Sequence, residues 1–255
     1  MSIRPGLVSV TFRQLEPRRV VALAQRAGLA GVEWGGDVHV PHGDLAAAEE
    51  VAALTARAGL AVSAYGSYYR LGESPDAPQV VATAARLGAP VIRVWAGSRA
   101  SADADEDHRA RVRDDALRLA ASAAAEGIGI VLEYHRGTLT DTRDSTAALL
   151  AAVPGSGIRS LWQPNPERDA ATNAADLEAL LPDLANLHVF AWRPDHSRLP
   201  LHDHREQWSA WLAVAAAAPG DRYASLEFVA GDDPAQAFAD ATTLHDLLSP
   251  HLIGS

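Results

Sequence analysis

The chain has no cysteine. That excludes a disulfide framework, thiolate catalysis and thiolate metal sites, so a bound metal would have to take His, carboxylate, amide or water ligands. No run of 18 or more apolar residues occurs, which excludes an ordinary membrane-spanning helix. Positive charge is in short supply. Lys and Arg together number 22, all arginine, against 32 Asp and Glu, for a net charge of −10. Proteins that bind duplex nucleic acid draw much of their affinity from basic side chains neutralising phosphates. With no basic run in the sequence, nucleic acid is not an expected partner. No G-x-G-x-x-G or P-loop pattern is present, so no phosphate-cradling turn is predicted and an unphosphorylated ligand is expected. The opening MSIRPGLVSV lacks a basic stretch followed by an apolar one, and a cytoplasmic protein without a signal peptide is expected. No Pro/Ser-rich linker interrupts the pattern, so residues 1–255 are read as one domain.

What is present is a repeating alternation. Short β-rich runs occur at Leu7–Phe12, Gly31–Trp34, Ala61–Tyr65, Val91–Ala96, Ile128–Tyr134, Ile158–Gln163, Asn186–Trp192 and Tyr223–Val229. Ala/Leu-rich helical patterns lie between them at 17–27, 44–58, 76–87, 104–126, 143–152, 173–182, 205–217 and 234–248. Eight strands alternating with eight helices in 255 residues predict an α/β fold, a (β/α)8 TIM barrel. Gly28, Gly59, Gly88 and Gly127 each stand after a helix and before a strand, where a left-handed C-cap is wanted. Asp44, Asp141 and Asp176 are read as helix N-terminal caps.

Six runs carry a polar residue near the C-terminal end among apolar neighbours: Glu33, Arg93, Glu133, Gln163, His188 and Glu227. Side chains alternate faces along a strand, so the apolar flanks should face the helices and the polar residues the barrel axis. Active sites of such barrels form at that end. Burying unpaired carboxylates is costly, so the convergence calls for a cation, mutual pairing or water. Adjacent strands lie ~4.8 Å apart, which lets Glu133, Gln163, His188 and Glu227 surround one divalent ion: Mn²⁺, Mg²⁺, Co²⁺ or Zn²⁺.

The motifs "GVEW", "IVLEYH", "NLHVF" and "SLEF" make the chain resemble the xylose-isomerase-like superfamily of sugar isomerases and epimerases, over essentially its whole length. The resemblance implies that Glu133 and Glu227 bind metal and exchange protons with substrate, and that His188 is a metal ligand. Two departures stand out. In "LWQPNPE", Gln163 replaces the usual Asp, and Pro166 replaces a His that contacts substrate. Pro194 stands where an Arg is often found, with Arg193 adjacent. The expected activity is isomerisation or epimerisation of a small keto-sugar or inosose through an enediolate. The alternatives are a lyase or dehydratase reaction in the same site, or a catalytically reduced sugar-binding barrel. A DNA-repair endonuclease shares the barrel type, but it would need further metal ligands and a basic surface.

Glu33, His39, Tyr65, Arg93, Trp95 and Arg193 are the candidate substrate contacts. Tyr68 and Tyr69 are possible sugar-stacking aromatics, and His135 is expected to point outward or into its loop. His196, His202 and His204 fall in a lid or solvated turn, and His108 on a solvated charged face. The expected partner is a small carbohydrate, with no membrane involved. Such barrels often form homodimers.

Overall fold

The alternation closes into a barrel. The computed structural model describes residues 2–251. The barrel strands are β1 (Ile3–Val8), β2 (Gly31–Gly35), β3 (Ala61–Arg70), β4 (Val91–Trp95), β5 (Gly129–Glu133), β6 (Arg159–Trp162), β7 (Leu184–Val189) and β8 (Arg222–Leu226). Each pairs in parallel with its sequence neighbours, and β8 closes the ring on β1. Outside them lie α1 (Pro17–Arg26), α2 (Leu45–Arg57), α3 (Ala77–Leu87), α4 (Glu106–Ala125), α5 (Arg143–Ala151), α6 (Ala170–Leu180), α7 (Arg205–Ala215) and α8 (Pro234–Leu248). Gly28, Gly59, Gly88 and Gly127 all have φ between +69° and +74°, the left-handed geometry that lets each helix stop and the next strand begin.

Several strand boundaries differ from the sequence reading: β3 runs on to Arg70, five residues past the expected Tyr65, and at three others the reason is local. The first strand begins before Pro5 and Gly6, and Ser9–Phe12 winds into a 3-10 turn. Gly6 belongs there because a Cβ would lie 2.5 Å from Ser225 Oγ. The seventh strand ends at Val189, and the chain then forms a small hairpin, Ala191–Trp192 against Arg198–Leu199. The eighth ends at Leu226, where the backbone turns to a positive φ of 54° at Phe228.

The caps need correction too. Asp44 caps α2 through Ala47 N. Asp141 instead accepts from Ser101 N, and α5 is capped by Thr142. Asp176 is inside α6, which Asp169 caps; it is buried and accepts from Tyr134 Oη at 2.8 Å and from Arg168. His108 is buried rather than solvated. It shares the inward face of α4 with Val112 and Asp115, at the 3–4 residue spacing of a helix face.

Inside the barrel, Val131 and Leu161 pack with Ala185 and Val91. Val91, Val131 and Leu161 precede Arg93, Glu133 and Gln163 by two residues and therefore share their faces. The polar layer thus rests on an apolar plug and opens only toward the C-terminal ends of the strands, where the strand-to-helix loops assemble a site.

Candidate active site

The polar residues at the strand ends form one connected network. Arg93 is its hub. Its Nε donates to Glu33 Oε1 at 2.6 Å and its Nη1 to the Glu133 carboxylate. Glu133 also accepts from Trp95 Nε1 and, at 3.1 Å, from Gln163 Nε2. His188 lies between two carboxylates, with Nε2 3.0 Å from Glu33 Oε2 and Nδ1 3.2 Å from Glu227 Oε2. Glu33, Arg93, Glu133, His188 and Glu227 are all buried.

Burial would raise the Glu33 carboxyl, but His188 and Arg93 bring it down to about 2. Burial opposes charge on His188, yet Glu227 and Glu33 raise it to about 10. Glu133 is held below the usual carboxylate range against its own burial, chiefly by Arg93. Arg93 is raised against its burial by Glu133 and Glu33. Three buried carboxylates therefore face two buried cations that belong to the chain itself, which is the pairing that buried charges require.

This pairing involves the predicted metal set. Glu133, Gln163, His188 and Glu227 all lie in or beside the network. Among the described residues, however, no group of three or more His, Asp or Glu side chains is arranged to hold a metal ion. Glu133 is engaged by Arg93, Trp95 and Gln163, and His188 by Glu33 and Glu227. As arranged, these donors are engaged within the protein, and a divalent cation would have to displace existing bonds to reach them. One atom departs from this picture: His188 Nδ1 is buried without a properly oriented hydrogen bond.

Above the network is a cavity of about 290 Å³. Arg93, Glu133, Gln163 and Glu227 form its floor and walls, and Tyr68, Trp95, Phe190, Trp192 and Phe228 supply aromatic surface. Trp95 stacks on His135, with centroids 5.0 Å apart and planes at 26°, so His135 joins the cavity wall. Tyr68 (φ 57°) and Phe228 (φ 54°) are left-handed non-glycine residues, a backbone state that clusters at functional sites. At Phe228 it breaks strand alternation, so that Glu227 and the residue after it both line the cavity. Thr11 Oγ1 holds that turn, accepting from Phe228 N at 3.2 Å.

The other predicted contacts lie elsewhere. Glu33 sits beneath the cavity and acts on it through Arg93 and His188. His39 is buried against Trp34, with its ring nitrogens 2.9 Å from Ser9 Oγ and 3.1 Å from Leu15 O. Tyr65 points away from the axis and donates to Val40 O at 2.8 Å. Tyr69 bonds Asp115. Arg193 lines a neighbouring cavity. Sequence reasoning missed Phe190, Trp192, Phe228, Arg13 and Arg136, which the loops bring to the cavity; only the position of Phe228 next to Glu227 signalled any of them.

The model of the xylose isomerase-like TIM barrel family matches residues 21–162, more than half of the chain. The chain belongs to that family. No curated protein matches the sequence. Among solved structures, the probable 3-DHS dehydratase involved in petrobactin synthesis from Bacillus anthracis is similar with a TM-score of 0.77 and 18% identity, over 96% of this chain and 98% of that one. D-allulose 3-epimerase from Methylomonas sp. is similar at 0.69 and 15%, over 98% of each. A xylose isomerase-like TIM barrel protein from Mycobacterium smegmatis, solved in complex with magnesium, is similar at 0.70 and 16%, over 98% of each. At these identities the likeness is one of fold. Among the described residues, no helix is long and apolar enough to cross a membrane.

Proposed function

We propose that this family member is an enzyme that moves a proton on a small carbohydrate bearing a hydroxyl beside a carbonyl, giving isomerisation or epimerisation. One observation carries the reading: two glutamates, Glu133 and Glu227, line the same cavity as the guanidinium-bearing Arg93. Among the described residues, Glu227 has no basic ion-pair partner besides His188, and it is the base that removes the proton α to the carbonyl. The electron pair moves onto the carbonyl oxygen, and the positive charge of Arg93 at the cavity stabilises the resulting enediolate, as a preorganised group does in a buried site. The Glu227 carboxylic acid just formed returns its proton to the neighbouring carbon, which gives isomerisation; return to the opposite face by Glu133 requires Glu133 first to take up a proton from water. The chain contains neither lysine nor cysteine, so neither a Schiff base nor a thiol adduct is available for the same task. The aromatic walls give the C–H faces of a sugar a surface to stack on.

The same enediolate would expel a β-hydroxyl if the substrate carried one, a lyase reaction in keeping with the similarity to a probable dehydratase. A divalent ion on Glu133, Gln163, His188 and Glu227 is the second reading of the site, favoured by the unsatisfied His188 Nδ1. Such an ion would act as a Lewis acid on substrate oxygens, and it would require Glu133 to give up a present partner.

The test is solvent deuterium incorporation at carbon, followed by NMR across a panel of ketoses and inososes. Exchange that is present in wild type and lost in Glu227→Gln supports the reading. Exchange that persists in Glu227→Gln overturns the role of Glu227.

A further inference from the structure

Beside the cavity that holds Glu133 and Glu227 is a second one, of about 210 Å³. The two share a wall: Pro164, Asn165, Pro166, Phe190 and Trp192 line both. They are therefore adjoining lobes of one depression at the C-terminal end of the barrel, and their charges differ. The first lobe carries charges of both signs, Glu133, Glu227 and Asp141 with Arg13, Arg93 and Arg136. No carboxylate lines the second, although the protein carries a net charge of −10. What lines it instead are arginines, a histidine and side-chain amides.

Of the two arginines, Arg168 is neutralised by Asp176 at 2.7 Å. Arg193 makes no ion pair among the described residues, and its only side-chain hydrogen bond is a 3.5 Å contact with Ser197 Oγ. His204, beside it, is pushed down by burial and by Arg193 itself, which leaves Arg193 as the standing positive charge. Gln207 adds an amide. At the junction of the lobes, the indole Nε1–H of Trp192 is buried without a partner. A cation with no ion pair among the described residues and, on the preceding residue, a buried donor with no partner among them both call for an acceptor.

We propose that the second lobe binds the anionic end, a carboxylate or a phosphate, of a substrate whose reacting carbons occupy the first lobe. The proposal rests on the acid–base reading of the first lobe and narrows it: the substrate is an acidic or phosphorylated keto-sugar rather than a neutral one. The absence of a glycine-rich phosphate turn in the sequence does not weigh against this, because the donors here are side chains on the hairpin after β7 and on the segment entering α7.

Three ligands that share one ketose head test the proposal: D-fructose, D-fructuronate and D-fructose 6-phosphate, which carry a hydroxymethyl, a carboxylate and a phosphate at C6. Binding of each is measured by calorimetry to wild type, Arg193→Ala, Arg193→Lys and Glu227→Gln. The expected result is that at least one anionic ketose binds wild type tenfold or more tightly than fructose. Arg193→Ala should lose that preference, Arg193→Lys should keep part of it, and Glu227→Gln should keep it whole. Which anion gains identifies the group. No anionic preference in wild type, or a preference that Arg193→Ala leaves intact, overturns the proposal. Intact preference without carbon–deuterium exchange supports the anion lobe while removing the acid–base reading. Because Arg193 is exposed, thermal melts of its variants should match wild type, so a loss of preference is not a loss of fold.

Discussion

Arg93 Nε donates to Glu33 Oε1 at 2.6 Å with both side chains about 2% exposed, so the second and fourth strands are joined by a charge pair closed off from water. Removing one partner of a buried pair leaves the other charge uncompensated, which costs about 3–5 kcal/mol. Arg93 holds two carboxylates, so Arg93→Met should fall at the upper end of that range and lower Tm accordingly. Glu33→Gln should cost less, because His188 keeps Glu227 and Arg93 keeps Glu133. In the double variant the losses should not add. A double-mutant cycle by chemical denaturation measures this coupling, and strict additivity would mean the pair is not an energetic unit.

Gly66 makes room for that pair. A Cβ at this position would lie 2.6 Å from Arg93 Nη2 and 2.9 Å from Glu33 Oε1. Gly66→Ala should force the guanidinium aside and destabilise the fold by about 1–3 kcal/mol, the usual cost of overpacking. Because Arg93 also faces the cavity, carbon–deuterium exchange should fall more steeply than stability does. Equal stability and exchange in wild type and variant would show that Arg93 is free to relax.

The pH dependence of stability should reflect the same network. Glu33 is lowered from 4.5 to about 2, so its contribution is present above pH 4.5 and lost as pH falls through 2. His188 is raised from 6.5 to about 10, so its contribution is whole below pH 6.5 and is lost as pH rises through 10. Tm should therefore decline from pH 6.5 toward 10, and His188→Gln should flatten that alkaline limb while lowering the curve as a whole. An alkaline limb of the same slope in the variant would assign the decline to another group.

The polar residues of the strands were legible because each interrupts an apolar run at a fixed place. Glu33, Arg93, Glu133, Gln163, His188 and Glu227 follow from strand periodicity alone. Their partners did not follow. Periodicity places side chains on a face but does not say that Arg93 spans two carboxylates, nor that His188 turns both ring nitrogens toward glutamates. Contacts from loops were the least legible. Tyr65 and His39 are polar residues near strand ends, as the true cavity residues are, but each is consumed by a local bond, to Val40 O and to Ser9 and Leu15. Conversely, Phe228 lines the cavity only because its backbone leaves the strand geometry.

That difference can be measured. Tyr65→Phe removes a buried hydroxyl bonded to Val40 O, an interaction worth about 1 kcal/mol. It should lower stability by that order without changing carbon–deuterium exchange. Tyr68→Phe should do the reverse. Its hydroxyl accepts from Arg13 Nη2 at 3.0 Å at the rim of the cavity, so exchange should drop with little change in Tm. The same response from both variants would erase the distinction between the tyrosine behind the barrel wall and the one inside the cavity.

Metal binding offers the sharpest comparison of the two readings of the network. With Glu133 committed to Arg93, Trp95 and Gln163, and His188 to Glu33 and Glu227, the charges are already paired and a cation must displace existing bonds before it can bind. Chelator treatment should accordingly leave Tm unchanged, and Mn²⁺ at tens of micromolar should raise the free energy of unfolding by less than the roughly 2.7 kcal/mol that a ligand at 100-fold its Kd supplies. Arg93→Met frees Glu133 and should increase the Mn²⁺-dependent rise, provided the variant folds; thermal melts report both. If wild type loses stability on chelation and regains it with Mn²⁺, and Glu227→Gln does neither, then the ion belongs to the network. Glu133 would in that case have to exchange Arg93 or Trp95 for the metal as it binds.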